Sequence, residues 1–193
     1  INNIDKVADI AQSSLDGVDY VVIRQRGWGK IISATSRVQV SIHGIDIDKE
    51  PGLRGRLRLA PQNEYRTDGK NQILGDINKL REPRTVAIFV GHAKKLDVDV
   101  GDLLTLTTES LSGSVNTADV RIVAILKDIG FLSNWSIFAD QRGIRDIYQL
   151  NEKAGGAVQI YLKDHNQAPD AMATLRVALK KANYKLMESN PNP

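Results

Sequence analysis

Thr85-Val86-Ala87-Ile88-Phe89-Val90-Gly91-His92-Ala93-Lys94-Lys95-Leu96-Asp97-Val98-Asp99-Val100-Gly101-Asp102-Leu103-Leu104-Thr105-Leu106-Thr107 is the stretch that decides the fold. Residues 85–90 form an unbroken apolar run, as expected of a short strand buried on both faces. Gly91 to Leu96 fits one brief helix, packed through Ala93 and Leu96. The chain turns through Val98–Asp102 and leaves as a strand over Leu103 to Thr108. Gly101 and Asp102 are the structural turn: glycine permits the tight backbone, and the carboxylate bonds nearby amides.

C-terminal to this unit, Leu111 to Thr117 is a Ser/Gly-rich turn. Val120, Ile122, Ala124 and Leu126 then alternate as a strand. Ile137-Phe138 is a further short strand, followed by an Asp140-capped helix carrying Ile144, Ile147 and Tyr148. Ala157 to Leu162 is a strand. Pro169 opens a helix with a stripe of Met172, Leu175, Leu179 and Ala182, and Tyr184 to Met187 returns as a last strand.

On the N-terminal side, Asp48 to Arg84 is interrupted by Pro51, Gly52, Gly55, Pro61, Gly69 and Pro83. It reads as a long excursion with one short helix at Ile73 to Leu80. Before it, Val38, Val40 and Ile42 alternate with polar residues, and Ile31-Ile32 and Val18 to Ile23 are strand-like. Together they suggest a half-buried antiparallel meander. Ile4, Val7, Ala8, Ala11 and Leu15 repeat at helical spacing behind an Asn2 or Asn3 cap. The fold class expected is α+β. Both ends, residues 1–50 and 154–193, form one α+β subdomain, and residues 51–153 form an inserted, mostly β subdomain. No internal repeat is evident.

Composition narrows the function classes. A chain of 193 residues buries roughly 70% of its unfolded surface and needs no staple. The 26 basic and 23 acidic residues are interleaved, and aromatics make up only 5%, so neither a basic stripe nor a stacking platform for nucleic acid is expected. With no cysteine, disulfides, thiolate metal sites and cysteine nucleophiles are excluded. No apolar run approaches the roughly 20 residues of a membrane helix. The chain opens at Ile1 and stops at Asn190-Pro191-Asn192-Pro193, ends that read as cut from something larger or as processed.

Catalytic and cofactor signatures are missing. His43, His92 and His165 share no ligand spacing, which leaves them as surface or half-buried residues without a metal. There is no GxSxG or SxxK, and no glycine loop for phosphate. The pairs Asp46/Asp48 and Asp97/Asp99 flank strand ends as solvated turn residues. No catalytic residue and no cofactor is therefore expected. The unusual run is Arg24-Gln25-Arg26-Gly27-Trp28-Gly29-Lys30. Trp28 between two glycines either projects from a hairpin tip, with Arg26 and Lys30, as a partner-binding hot spot, or folds back on the core at a glycine bulge.

The Thr85–Thr107 unit resembles the "strand, short helix, L-x-V-x-x-G-D, strand" unit of the extracytoplasmic domains of MacB/FtsX-like, lipoprotein-releasing-type ABC transporter permeases. Gly17-Val18-Asp19-Tyr20-Val21 is similar to the family's strand entry after its first helix. Ile42-His43-Gly44-Ile45-Asp46 resembles the close of its meander. Val120 to Ile125 and Ile137-Phe138-Ala139-Asp140, with Ile144 and Tyr148, resemble the strands and helix that follow. The resemblance spans about residues 17–163. Ile88-Phe89-Val90-Gly91 departs from the usual "I-L-G", and the Asp48–Arg84 excursion matches nothing in the pattern.

The resemblance implies a terminal porter-like subdomain and an inserted sabre-like one, held between the first and second membrane helices of a permease outside the inner membrane. It also implies no catalysis of its own. The implied partners are a cytoplasmic ATPase, a second permease copy and a periplasmic or surface protein; movement driven by ATP hydrolysis would be relayed outward by mechanotransmission. The alternative is a soluble double-psi-barrel-like domain for a ligand or peptide. It uses a similar unit and requires a second, pseudo-symmetric copy, which the sequence does not display.

Overall fold

In the computed structural model, which describes residues 3–109, 113–150 and 155–185, the element order is α1 (Ile4–Ser14), β1 (Val18–Ile32), β2 (Arg37–Ile45), α2 (Pro51–Arg56), β3 (Thr85–Phe89), α3 (Val90–Leu96), β4 (Leu103–Glu109), β5 (Val115–Leu126), β6 (Ser136–Asp140), α4 (Gln141–Ile147), β7 (Ala157–Leu162) and α5 (Ala168–Lys181). The architecture is α+β, as expected. Two units divide it: Ile1–Ile23 with Lys153–Pro193, and Arg24–Glu152.

The terminal unit packs α1 on α5 and β7, with Ile4, Ala11 and Leu15 buried. β7 lies beside β1. Tyr20 and Tyr161 stack with ring centroids 4.3 Å apart, and the Gly17 carbonyl accepts from the Lys163 amide at 2.9 Å. Pro169 sits in the first turn of α5, as read. Its packed stripe keeps three of the four expected residues. Leu175, Leu179 and Ala182 are half-buried, as are Ala171 and Ala178, whereas Met172 is 53% exposed. The last strand expected at Tyr184 to Met187 lies partly outside the described residues, as does the Leu111–Thr117 turn, whose Val115–Thr117 belong to β5.

The second unit closes into a six-stranded barrel. β1 pairs antiparallel with β2 from Gln25↔Gly44 to Ile32↔Arg37. β2 runs parallel to β6, β6 antiparallel to β3, and β3 parallel to β5. β5 pairs antiparallel with β4, and β4 pairs back to β1 through Gly29↔Thr108. Closure leaves none of these six strands as a sheet edge. It also corrects the expected boundary at residue 50: residues 24–50 belong with the barrel, because β1 and β2 supply the strands that close it.

The ring repeats itself. A hairpin (β1–β2), a crossing and a strand running directly into a helix (β3–α3) are followed by a second hairpin (β4–β5), crossing and strand–helix (β6–α4). The pairings match under this exchange: parallel β2–β6 corresponds to parallel β3–β5, while β1–β4 and β3–β6 correspond to themselves. The pseudo-symmetric copy that sequence comparison within the chain does not display is thus present in the topology.

Two cores flank the barrel wall. Ile31, Val40, Ile42, Ile88, Leu104 and Ile122 fill the inside, closed by Ala93 and Leu96 of α3 and Ile144 of α4. Outside, Ala87, Phe89, Ala124, Leu126 and Phe138 meet Leu57 and Leu80 of the excursion. Strands buried on both faces read as continuous apolar runs, and those facing water alternate. This is why β3 and the end of β5 differ from β2.

The excursion is therefore an ordered cover. Ala60 donates to Ile125 O, Lys127 to Arg58 O and Asp76 to Val123 O, each at 2.9 Å. The helix expected at Ile73 to Leu80 is a 3-10 turn over Ile77–Arg81, and α2 was not apparent in the sequence. Glu50, fully buried, holds Arg24 of β1 through two hydrogen bonds, one from Nε at 2.7 Å.

A Cβ on Gly29 would lie 2.6 Å from the Thr107 carbonyl, whereas one on Gly91 meets nothing within 4 Å. Gly29→Ala is expected to cost about 1–3 kcal/mol through forced strand separation. Gly91→Ala is expected to gain about 0.5–1 kcal/mol. Urea unfolding of the two variants checks the sign of each.

Candidate partner-binding face

In β1, alternation sorts the unusual run into two faces. Gln25 is buried and Gly27 and Gly29 are half-buried, whereas Arg26, Trp28 and Lys30 are exposed, Trp28 by 60%. Trp28 is neither at a hairpin tip nor folded back. It stands in the middle of a strand that is paired on the β2 side with Ser41, while the hairpin turn is made by residues 33–36. The two glycines answer to the barrel: a Cβ at Gly27 would lie 2.1 Å from the Tyr148 hydroxyl, which donates to the Trp28 carbonyl at 2.7 Å.

Beside Trp28 runs an open groove of about 530 Å³, lined by Trp28, Lys30, Gln39, Thr107, Val115 and Tyr148 among others. Arg26 pairs across the strands with His43. Burial first, then the Arg26 and Arg24 charges, lowers the His43 pKa from 6.5 to about 4. Its ring is therefore neutral and sits 3.3 Å from the Ser41 hydroxyl. His92 is fully buried rather than half-buried, with Nε2 3.1 Å from the Asn134 carbonyl, and burial lowers its pKa as well.

The turn residues act on the backbone. Gly101 has φ +99°, and the Asp102 carboxylate accepts from the Asp99 amide at 2.7 Å. Asp99 in turn accepts from the Tyr65 hydroxyl at 3.0 Å and from Gln62, tying the excursion to the turn. Asp46, Asp48 and Asp97 pair with Lys49, Arg81 and Arg66. Among the described residues no group of three or more His, Asp or Glu is arranged to hold a metal.

Sequence reading passed over the β5–β6 connection. Ile129, Phe131, Leu132 and Trp135 are exposed by 51, 76, 69 and 48%. The signal was present: four large apolar residues in seven, around Gly130, fitting neither the helical nor the strand period. The backbone joins this loop to the Trp28 face, because Ser41, opposite Trp28, donates its amide to the Trp135 carbonyl at 2.5 Å.

No family model matches the chain, and no curated protein matches it in sequence. Solved structures do. The extracellular domain of the noncanonic ABC-type transporter YknZ from Gram-positive bacteria superposes with a TM-score of 0.61 at 13% identity, covering 94% of this chain and 84% of that one. The periplasmic region of MacB from Actinobacillus actinomycetemcomitans gives 0.58 at 13%, covering 94% and 75%. The fold is that of ABC-permease extracytoplasmic domains. A domain of a permease protein from Porphyromonas gingivalis shares it too, at 0.52 and 16% identity over 94% and 71%. The expectation of a MacB-like α+β permease-domain fold is met. Among the described residues no helix is long and apolar enough to cross a membrane.

Asp102→Ala is expected to lower stability by about 1 kcal/mol, the usual net worth of one hydrogen bond, with circular dichroism of the native state unchanged. The imidazole of His43 takes up its proton near 6.5 when unfolded and near 4 when folded. Between those values the unfolded state binds more protons, so stability falls as pH drops from 6.5 towards 4. His43→Gln is expected to flatten that decline in urea midpoints measured across the interval.

Proposed function

We propose that this chain is the extracytoplasmic domain of an ABC transporter permease of the MacB/FtsX-like type. The observation that carries the reading is a fold shared over 94% of the chain with extracellular and periplasmic domains of such transporters. In this reading the chain catalyses nothing itself. Flanking membrane helices anchor it outside the inner membrane, and it works beside a second permease copy and a cytoplasmic ATPase. Hydrolysis there is relayed outward by mechanotransmission to release lipoprotein, drive efflux or activate an extracytoplasmic partner. Contact with that partner falls to the face of Arg26, Trp28 and Lys30. Its chemistry suits the role: a large exposed aromatic between two cations on a rigid strand loses little entropy when it is covered.

A second reading is a soluble double-psi-barrel-like domain that binds a ligand or peptide. The pseudo-symmetric repeat of hairpin, crossing and strand–helix favours it.

The gene product around residues 1–193 separates the two. The permease reading expects one apolar run of about 20 residues before this segment and three after it. Soluble sequence on both sides would overturn it in favour of the second reading. In the intact transporter, Trp28→Ala with Arg26→Glu is expected to leave ATP hydrolysis within about twofold of normal while partner-dependent work falls about tenfold or more. Turnover of any substrate by the purified chain would refute the non-catalytic assignment.

A further inference from the structure

The two crossings of the pseudo-symmetric barrel are unequal. The first, between β2 and β3, covers the outer wall with its own leucines. The second, between β5 and β6, is too short to cover anything and presents its apolar side chains to water. Phe131 and Leu132 are the most exposed large apolar residues of the described chain. They are not loosely held. The Ser133 hydroxyl accepts from the Ile129 amide at 2.7 Å, and the Ser133 and Trp135 amides close a 3-10 turn onto Gly130 and Leu132. Phe131 and Trp135 face each other with ring centroids 6.5 Å apart. His92 of α3 holds the Asn134 carbonyl from below.

A backbone fixed in this way keeps apolar groups in water at a standing cost, as expected of a surface that is covered in use. Cations outnumber carboxylates around it, although Asp128, next to Ile129, and Glu109, on the Trp28 groove, are acidic. Lys94 and Lys95 are exposed on α3, which packs against this turn. Arg26 and Lys30 flank Trp28, which lies about 10 Å from Ser136, two strand spacings away. None of the four cations has an ion-pair partner among the described residues.

We propose that the Phe131–Leu132–Trp135 turn, with Trp28 and the cations around it, docks an apolar ridge bordered by carboxylates on another protein. A second copy of this chain fits poorly, since a two-fold contact sets each patch against itself and opposes lysine to lysine. A lipid surface fits poorly as well, because Trp28 stands on the barrel wall and the apolar groups are not gathered at one tip. The assignment rests on the permease reading only for the compartment where the partner is met. A failure here leaves the flanking membrane segments as they are.

The probe is a short amphipathic peptide with a leucine face bordered by glutamates, titrated against the full chain by fluorescence anisotropy. A counterpart bordered by lysines, anionic phosphatidylglycerol vesicles and the chain itself in sedimentation are run in parallel. The acidic peptide is expected to bind, to lose about tenfold or more in affinity on Phe131→Ser, and to weaken as salt rises. Lys94→Glu with Lys95→Glu is expected to switch preference to the lysine-bordered peptide. These side chains are exposed, and circular dichroism is run on each variant to check that it is folded. No binding of the acidic peptide, equal binding of both peptides, indifference to Phe131→Ser, vesicle binding by the same turn, or dimerisation lost on Phe131→Ser would each overturn the proposal.

Discussion

Six strands hide all their edges only by closing, and here closure falls to β1, which pairs with β2 on one side and β4 on the other. A ring of six is narrow, so close approach has to be met with missing side chains. Gly27 admits the Tyr148 ring, Gly29 admits the β4 backbone, and Gly44 lies against Gln25 and α4. The same closure sends alternate residues outward. The exposure of Arg26, Trp28 and Lys30 and the glycines between them are therefore two results of one constraint.

The second constraint is the disposal of the outer wall. β3, β6 and the end of β5 are apolar on both faces, which is stable only with a further layer outside them. The excursion supplies that layer. It is fixed at its start by the buried Arg24–Glu50 pair and in its middle by Asp99 with Tyr65 and Gln62. A buried ion pair adds little net stability over an apolar equivalent, but losing one partner strands a charge. Its effect is to fix where the excursion begins. Burial and the Asp99 hydrogen bond both raise the Tyr65 pKa, so its hydroxyl stays a donor.

Several polar groups of this unit serve the backbone or an ion pair. Asp140 illustrates the point. It is buried, lines the groove of about 430 Å³ beside α4, and gives its carboxylate to the Gly143 amide at 2.8 Å as a helix cap.

Local chemistry determined the elements: the strand, helix and turn of Thr85–Thr107, the Asp140 cap, the Pro169 start, and Gly101 with Asp102. Each depends on neighbours within a few residues, so the sequence by itself suffices there. It also determined that β3 is covered twice, because its apolar run is continuous, whereas the end of β5, expected to alternate, is buried on both faces too. Partners distant in the chain were decided only by tertiary structure. Whether Gly27-Trp28-Gly29 is a turn, a bulge or a strand depends on β4 and Tyr148, both distant in the chain. The placement of residues 24–50 in the barrel depends on β4 and β6. The exposure of Phe131 and Leu132 depends on the second crossing being too short to cover itself. Alternation and propensity are local quantities, whereas closure of a ring is a property of all six strands together.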